Sequence, residues 1–158
     1  MKPTSAFGGG MAGAIALTLI HEGLRRINPK APRMDLLGMN AISKVLKTAG
    51  KKPPSEDKLY GWTMAGDVLS NSLYYSLTGV GHKKGALLRG GLIGLAAGAG
   101  AVLLPRPLGL NEAYSNKSKE TKLLTIGLYI AGGLISAGVL RLIHKREQKL
   151  KRKSALNY

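Results

Sequence analysis

The feature that most constrains this chain is the 18-residue stretch 123–140, which holds no charged side chain between Lys122 and Arg141. About 20 mostly apolar residues in a helix cross the roughly 30 Å hydrocarbon core of a bilayer. Helices of soluble proteins average only about 11–12 residues. The stretch shows no period-two alternation, and Gly127, Gly132, Gly133 and Gly138 would weaken a strand. The pattern predicts a spanning helix over about 122–143. A second such segment, 85–104, carries only Arg89 as a charge and closes at Pro105, which predicts a helix over the same range.

Two further segments fit less cleanly. Residues 7–20 are apolar for about 14 positions, so a spanning helix there must take in polar flanks and covers about 7–26. Lys2 and this run fit a secretory signal, but His21-Glu22 follows where a small-residue cleavage site would stand, so an uncleaved helix is expected. The segment expected to form a helix over 59–80 contains Asp67 and Asn71. Between these two lies an amphipathic element, 35–48. Met39, Ile42, Val45 and Leu46 have helical spacing, Lys44 and Lys47 lie on the other side, and Asp35 is the expected N-cap. It is too short to span, Lys51-Lys52-Pro53-Pro54 ends it, and it suits the headgroup surface. Pro29 and Pro32 keep its lead-in non-helical.

The expected fold is therefore an all-α integral membrane protein. It is a bundle of four (alternatively three) transmembrane helices plus one short amphipathic interfacial helix. One transmembrane domain covers 1–143, and a basic cytoplasmic tail covers 144–158. Lipid tails are as apolar as leucine, so close backbone packing through small residues must hold such helices together. Gly90, Gly94 and Gly98 form one stripe, Gly9 and Gly13 another, and Gly133 with Ala137 and Gly132 with Ser136 a third. Three segments share the device, so packing within one chain is favoured over a homodimer seam. Asp67, Asn71, Tyr74 and Thr78 share a helix face, and a polar face at membrane depth should meet protein or a water-filled cavity. Segment 59–80 is thus expected to be the helix most shielded from lipid.

The charge is lopsided, with 24 Lys+Arg against 8 Asp+Glu and a formal net charge of +16. Basic residues concentrate on the cytoplasmic side of membrane proteins. Both the 25–58 connection and the tail from Arg141 are rich in them, yet three crossings would put the two on opposite sides. Either four spans stand and the rule is violated, or segment 59–80 does not cross. The four-helix bundle and a cytoplasmic C-terminus are the preferred reading. Lys149, Lys151, Arg152 and Lys153 next to a span would meet anionic headgroups. The basic run lacks aromatic interleaving and a nucleic-acid fold motif, so no nucleic-acid partner is expected.

Chemistry has little support. The absence of cysteine excludes disulfides, thiolate metal sites and Cys nucleophiles. No nucleophile elbow or phosphate loop occurs, and His21-Glu22 lacks the spacing of a helical zinc motif. No catalytic residue, metal or cofactor is assigned. The candidate intramembrane polar network is His21, Glu22, Arg25, Arg26, Asp67, Asn71 and Arg89. Glu22 is set to pair with Arg26 at i, i+4, and Asp67 with Arg89, Arg25 or Arg26. A sharper reading groups His21, Glu22, Asp67 and His82 as a metal or proton site.

The stretches GGGMAGAIALTLIHEGLRR, APRMDLLGM and GDVLSNSLYYSL together resemble small multi-pass inner-membrane proteins of bacteria whose function is uncharacterised. The resemblance covers most of the chain as a pattern and has no diagnostic motif. It implies a bacterial inner membrane and a compact helical bundle, and it implies no reaction. The expected role is a non-enzymatic accessory or assembly subunit of a larger membrane complex or homo-oligomer, in contact with anionic lipid. The alternatives are a small transporter or channel using Asp67 and Asn71, and a membrane-embedded metal-dependent enzyme using His21 and Glu22.

Overall fold

The computed structural model describes residues 2–155 and is all-helical, with no strand among those residues. Helix α1 (Pro3–Ile27) starts on a proline, whose missing N–H is an orphan at that position anyway. It stops two residues before Pro29. Helix α2 (Met34–Thr48) ends before Gly50, which takes a left-handed φ of 71°. Helix α3 (Glu56–Ser76) opens with Glu56 and Asp57, acids that suit the positive end of a helix dipole, and closes in a single 3-10 turn, Leu77–Gly79. Helix α4 (Ala86–Leu103) ends before Pro105. A single turn, α5 (Ala113–Asn116), leads into α6 (Lys119–Ala155).

The four long helices run antiparallel in sequence order. At one end, which holds the chain's amino terminus, Ser5 bonds Glu147 of α6 at 2.9 Å, Gly79 abuts Ala6, and Arg141 donates to the Lys84 carbonyl at 2.9 Å. At the other end, which holds the 28–55 linker, Tyr60 reaches Glu22 and Asn116 donates to the Val102 carbonyl. Helix α6 is central, with α1 and α4 packed along it; α3 packs lengthwise on α1.

Glycine makes these seams possible. A Cβ at Gly94 would meet the Tyr129 carbonyl and, at 2.6 Å, the Ile130 Cα; one at Gly98 would sit 2.7 Å from the Ile126 Cα. Gly90 and Gly133 press backbone to backbone, with Ala137 beside them. Gly9 and Gly13 meet α6 at Leu140, Ser136 and Gly132 in the same way. The glycine stripes therefore build one chain's own bundle. No seam of this quality joins α3 to α4.

Three helices are long and apolar enough to cross a membrane: Pro3–Ile27, Ala86–Leu103 and the stretch of α6 from Lys119 onward. Their surfaces are inverted relative to a soluble protein. Phe7, Met11, Ile15 and Leu19 are exposed along one stripe of α1, as are Leu88, Leu92 and Leu95 on α4. Thr121, Thr125 and Ser136 of α6 are buried, with Ser72, Thr78 and Ser115 around them. A monomer in water rarely exposes apolar patches of that extent.

The helices outrun their expected bounds. The first spans 3–27 rather than 7–26, because Pro3 serves as a helix start. The fourth begins at 119 and continues unbroken through the basic tail to 155. Its 37 residues measure about 55 Å, so the segment beyond Glu147, the last residue that bonds α1, projects past the bundle. The 59–80 segment begins earlier, at 56, and its last residues turn away from the α-helix at Leu77. Asp35 does not cap α2; Arg33 holds that position, and Asp35 lies in the first turn with Arg33 and Arg25 on its carboxylate.

Candidate functional site

The polar side chains gather at the linker end in two layers. In the outer layer, Asp35 is 2% exposed and accepts from Arg33 at 2.8 Å and Arg25 at 3.2 Å. Arg25 also holds Glu22 at 2.7 Å, and the Tyr60 hydroxyl donates to the same carboxylate at 3.5 Å. Burial alone would raise the Asp35 carboxyl. The hydrogen bond and charge of Arg33, the Leu36 N–H and the charge of Arg25 outweigh it and hold that carboxyl below the usual carboxylate range. Glu22 pairs with Arg25 at i, i+3 rather than with Arg26, which is exposed. Asp35, drawn in by the turn of α2, makes Arg25 the shared cation.

The layer pins the linker to the bundle. His21 is 5% exposed and donates through Nε2 to the Pro32 carbonyl at 2.7 Å, which leaves Nδ1 as the acceptor when the ring is neutral. Thr121 donates to the Lys30 carbonyl, Lys117 to the Pro29 carbonyl, and Arg33 N–H to the Tyr114 carbonyl. Lys30 pairs with Glu120 at 2.7 Å between two exposed side chains, a bond worth little in stability.

The inner layer is a small, partly open chamber of about 10 Å3, bordered by Thr18, His21, Asp67, Thr125 and Tyr129. That is about the smallest space that holds one water. The Thr18 hydroxyl is buried without a hydrogen-bond partner among the described residues. Asn71 donates to Asp67 at 3.0 Å.

The structure thus brings His21 and Asp67 to one chamber, but Glu22 turns outward to Arg25, and His82 lies at the opposite end of the bundle. No group of three potential metal-ligating side chains converges among the described residues. Arg89 is also at the far end. Its guanidinium donates to the Thr78 carbonyl at 3.2 Å and the His82 carbonyl at 2.8 Å, holding the α3–α4 hairpin. Asp67 has no Lys or Arg on it among the described residues, because Arg25 is committed to Glu22 and Asp35 and Arg89 is out of reach; His21 is the basic group beside it. Lys149, Arg152 and Lys153 are exposed on the projecting part of α6; the Lys151 side chain and residues 156–158 lie outside the described residues.

The expected shielding of α3 does not hold. It packs on α1 and stands at the edge of the bundle, with Trp62, Ala65, Gly66, Leu69, Ser70 and Leu73 exposed. Cβ atoms added at Gly61 or Gly66 would touch nothing within 4 Å. Gly61 with Ala65 on one side, and Gly66 with Ser70 on the other, form two small-residue pairs at four-residue spacing that flank an exposed ridge of Trp62, Leu69 and Leu73. The polar face of α3 does turn into the bundle: Asp67 borders the inner chamber and takes the Asn71 bond, Asn71 is buried, and Thr78 is fully buried against Ser136.

The inner polar seam of α6 had a sequence signal that hydropathy hid. Thr121, Thr125, Tyr129, Gly132 and Ser136 recur at helical spacing. Tyr75, fully buried, donates to the Tyr129 carbonyl at 2.8 Å, and Ser136 donates to the Tyr75 carbonyl at 3.2 Å. Comparison of the chain with protein families, with curated proteins and with solved structures returns no match.

Proposed function

We propose that this is a non-enzymatic integral membrane protein that acts as an accessory or assembly subunit, with four crossing helices and its C-terminus in the cytoplasm of a bacterium. The observation that carries the reading is the outer face of α3. This helix lies lengthwise on α1 and reaches the same two ends of the bundle, yet it is not apolar enough to face lipid on its own. Its uncovered side carries paired small residues, the surface that another membrane helix needs for close approach. A partner helix seated there would shield it.

A transporter using Asp67 and Asn71 needs a water-filled path, and the one-water chamber at Asp67 supports that reading less. The four-crossing reading leaves the basic 28–55 linker opposite the tail, against the charge rule. The linker end carries at least as many Lys and Arg as the tail end, so the charge rule does not separate the two; the tail is assigned to the cytoplasm for its dense basic run from Arg141 to Lys153.

The test uses the full chain in mild detergent. Gly66→Leu fills open space and improves helix propensity, so the monomer keeps its stability. A co-purifying stoichiometric partner, or a second copy, is lost from that variant if α3 is the docking face. A partner retained at wild-type level by both Gly61→Leu and Gly66→Leu refutes it.

A further inference from the structure

At the linker end, α3 and α4 part. Helix α4 is held by α6 and α3 by α1, and an open cleft of about 470 Å3 lies between them. Ala96, Gly100 and Leu104 form one wall, and Ser70 and Tyr74 the other. Leu108 and Leu110 close its rim. The same two leucines wall a second open hollow, of about 450 Å3, against Ala41, Val45 and Thr48 of α2. Each volume lies in the range of small-molecule sites. A helix, about 10–12 Å across with its side chains, is too wide to be buried in either.

The walls ask for few hydrogen bonds. The Ser70 hydroxyl donates to the Asp67 carbonyl and Asn71 to the Asp67 carboxylate, which leaves a mainly apolar surface at the depth of a spanning helix. Lys44 lines the second hollow and reaches the wall that the two share, at Leu108. It donates to the Leu108 and Gly109 carbonyls, and an ammonium has a third proton to give. Lys47 follows one turn on, and Lys51-Lys52 follow the helix; none of these lysines is in an ion pair among the described residues.

We infer that these two hollows hold the acyl chains of one anionic glycerophospholipid, with its phosphate at Lys44 and Lys47. Two apolar hollows of matched size that share a wall fit a two-chain molecule, and the unpaired lysines fit its charge. The inference rests on the bundle being embedded in a bilayer, as proposed above.

Native mass spectrometry of the full chain, released from detergent after incubation with phosphatidylglycerol or phosphatidylcholine, tests it. One phosphatidylglycerol should remain bound, in preference to phosphatidylcholine. Lys44→Gln and Lys47→Gln should each cut that preference roughly fivefold. Gly100→Leu and, independently, Ala96→Phe should reduce retention of both lipids with the melting temperature unchanged; a Cβ at Gly100 meets only Leu104, at 3.5 Å. Equal retention of the two lipids, or retention unchanged in both cleft variants, overturns the inference. So does a photo-crosslinker at position 100 that labels a protein instead of a lipid. A chain that stays in the membrane pellet after carbonate extraction yet keeps no phosphatidylglycerol loses this inference alone. A chain released by carbonate loses the membrane reading itself.

Discussion

Replacing Gly94 by alanine should separate the two most closely packed helices. The added methyl would meet the Tyr129 carbonyl and lie 2.6 Å from the Ile130 Cα, where ordinary contact begins at 3.4 Å. Helices α4 and α6 would have to part by at least about 0.8 Å at that level. The obstructing atoms are backbone, so no side chain can swing away. Overpacking costs about 1–3 kcal/mol, while alanine in place of glycine gains about 1 kcal/mol of helix propensity. The net loss against the wild type should be about 0–2 kcal/mol, and the loss against a variant that has only the propensity gain about 1–3 kcal/mol, or a melting temperature lower by about 2–12 °C for a chain of this size. Gly127→Ala is the control, because its new Cβ touches nothing within 4 Å and only the propensity gain remains. Unfolding of both variants by SDS titration in mixed micelles, with thermal melts alongside, reads the difference. If Gly94→Ala is as stable as Gly127→Ala, the helices are not held by backbone contact at this seam and the packing argument fails.

Two further substitutions probe the linker end and the core. Folding holds the Asp35 carboxyl below its unfolded value of about 3.9, so its charged form stabilises the fold above that pH. The stabilisation drains away as pH falls below about 4 and through the lower folded value. Asp35→Asn should cost about 1–3 kcal/mol at neutral pH and flatten the acid limb of the stability curve; an unchanged acid limb counts against the Arg33–Asp35–Arg25 arrangement. Tyr75→Phe removes only the hydrogen bond to the Tyr129 carbonyl, a buried bond 2.8 Å long, and should cost about 0.6–1.5 kcal/mol in the same titration. A neutral result would mean that the Tyr75 hydroxyl adds nothing to the α3–α6 contact.

Much of the architecture is written in residue types. Uncharged runs of spanning length marked α1, α4 and α6, and Pro29, Pro53 and Pro105 marked where helices must stop. The spacing of Gly90, Gly94 and Gly98 named the face that meets α6, because only glycine lets backbones touch. What stayed hidden depends on partners that residue types do not reveal. Arg89 binds carbonyls of the preceding turn, and every residue has a carbonyl. Glu22 chose Arg25 over Arg26 because Asp35 arrives from a different helix. The polar face of α3 suggested a shielded helix, and that face does meet the bundle at Asp67, Asn71 and Thr78, but the opposite face, with Trp62, Leu69 and Leu73, is left open, which the polar pattern could not show. The cleft beside α4 arises from a seam that does not close, and no local pattern encodes a missing contact.

The central claim is that α3 crosses the membrane beside α1, which puts Ser55 and His82 at opposite ends of the bundle. Reporter fusions after residues 55, 82 and 115 measure this directly. The account predicts that 82 reports the cytoplasmic side and that 55 and 115 both report the other. If 55 and 82 report the same side, α3 does not cross, and the four-helix membrane bundle is contradicted.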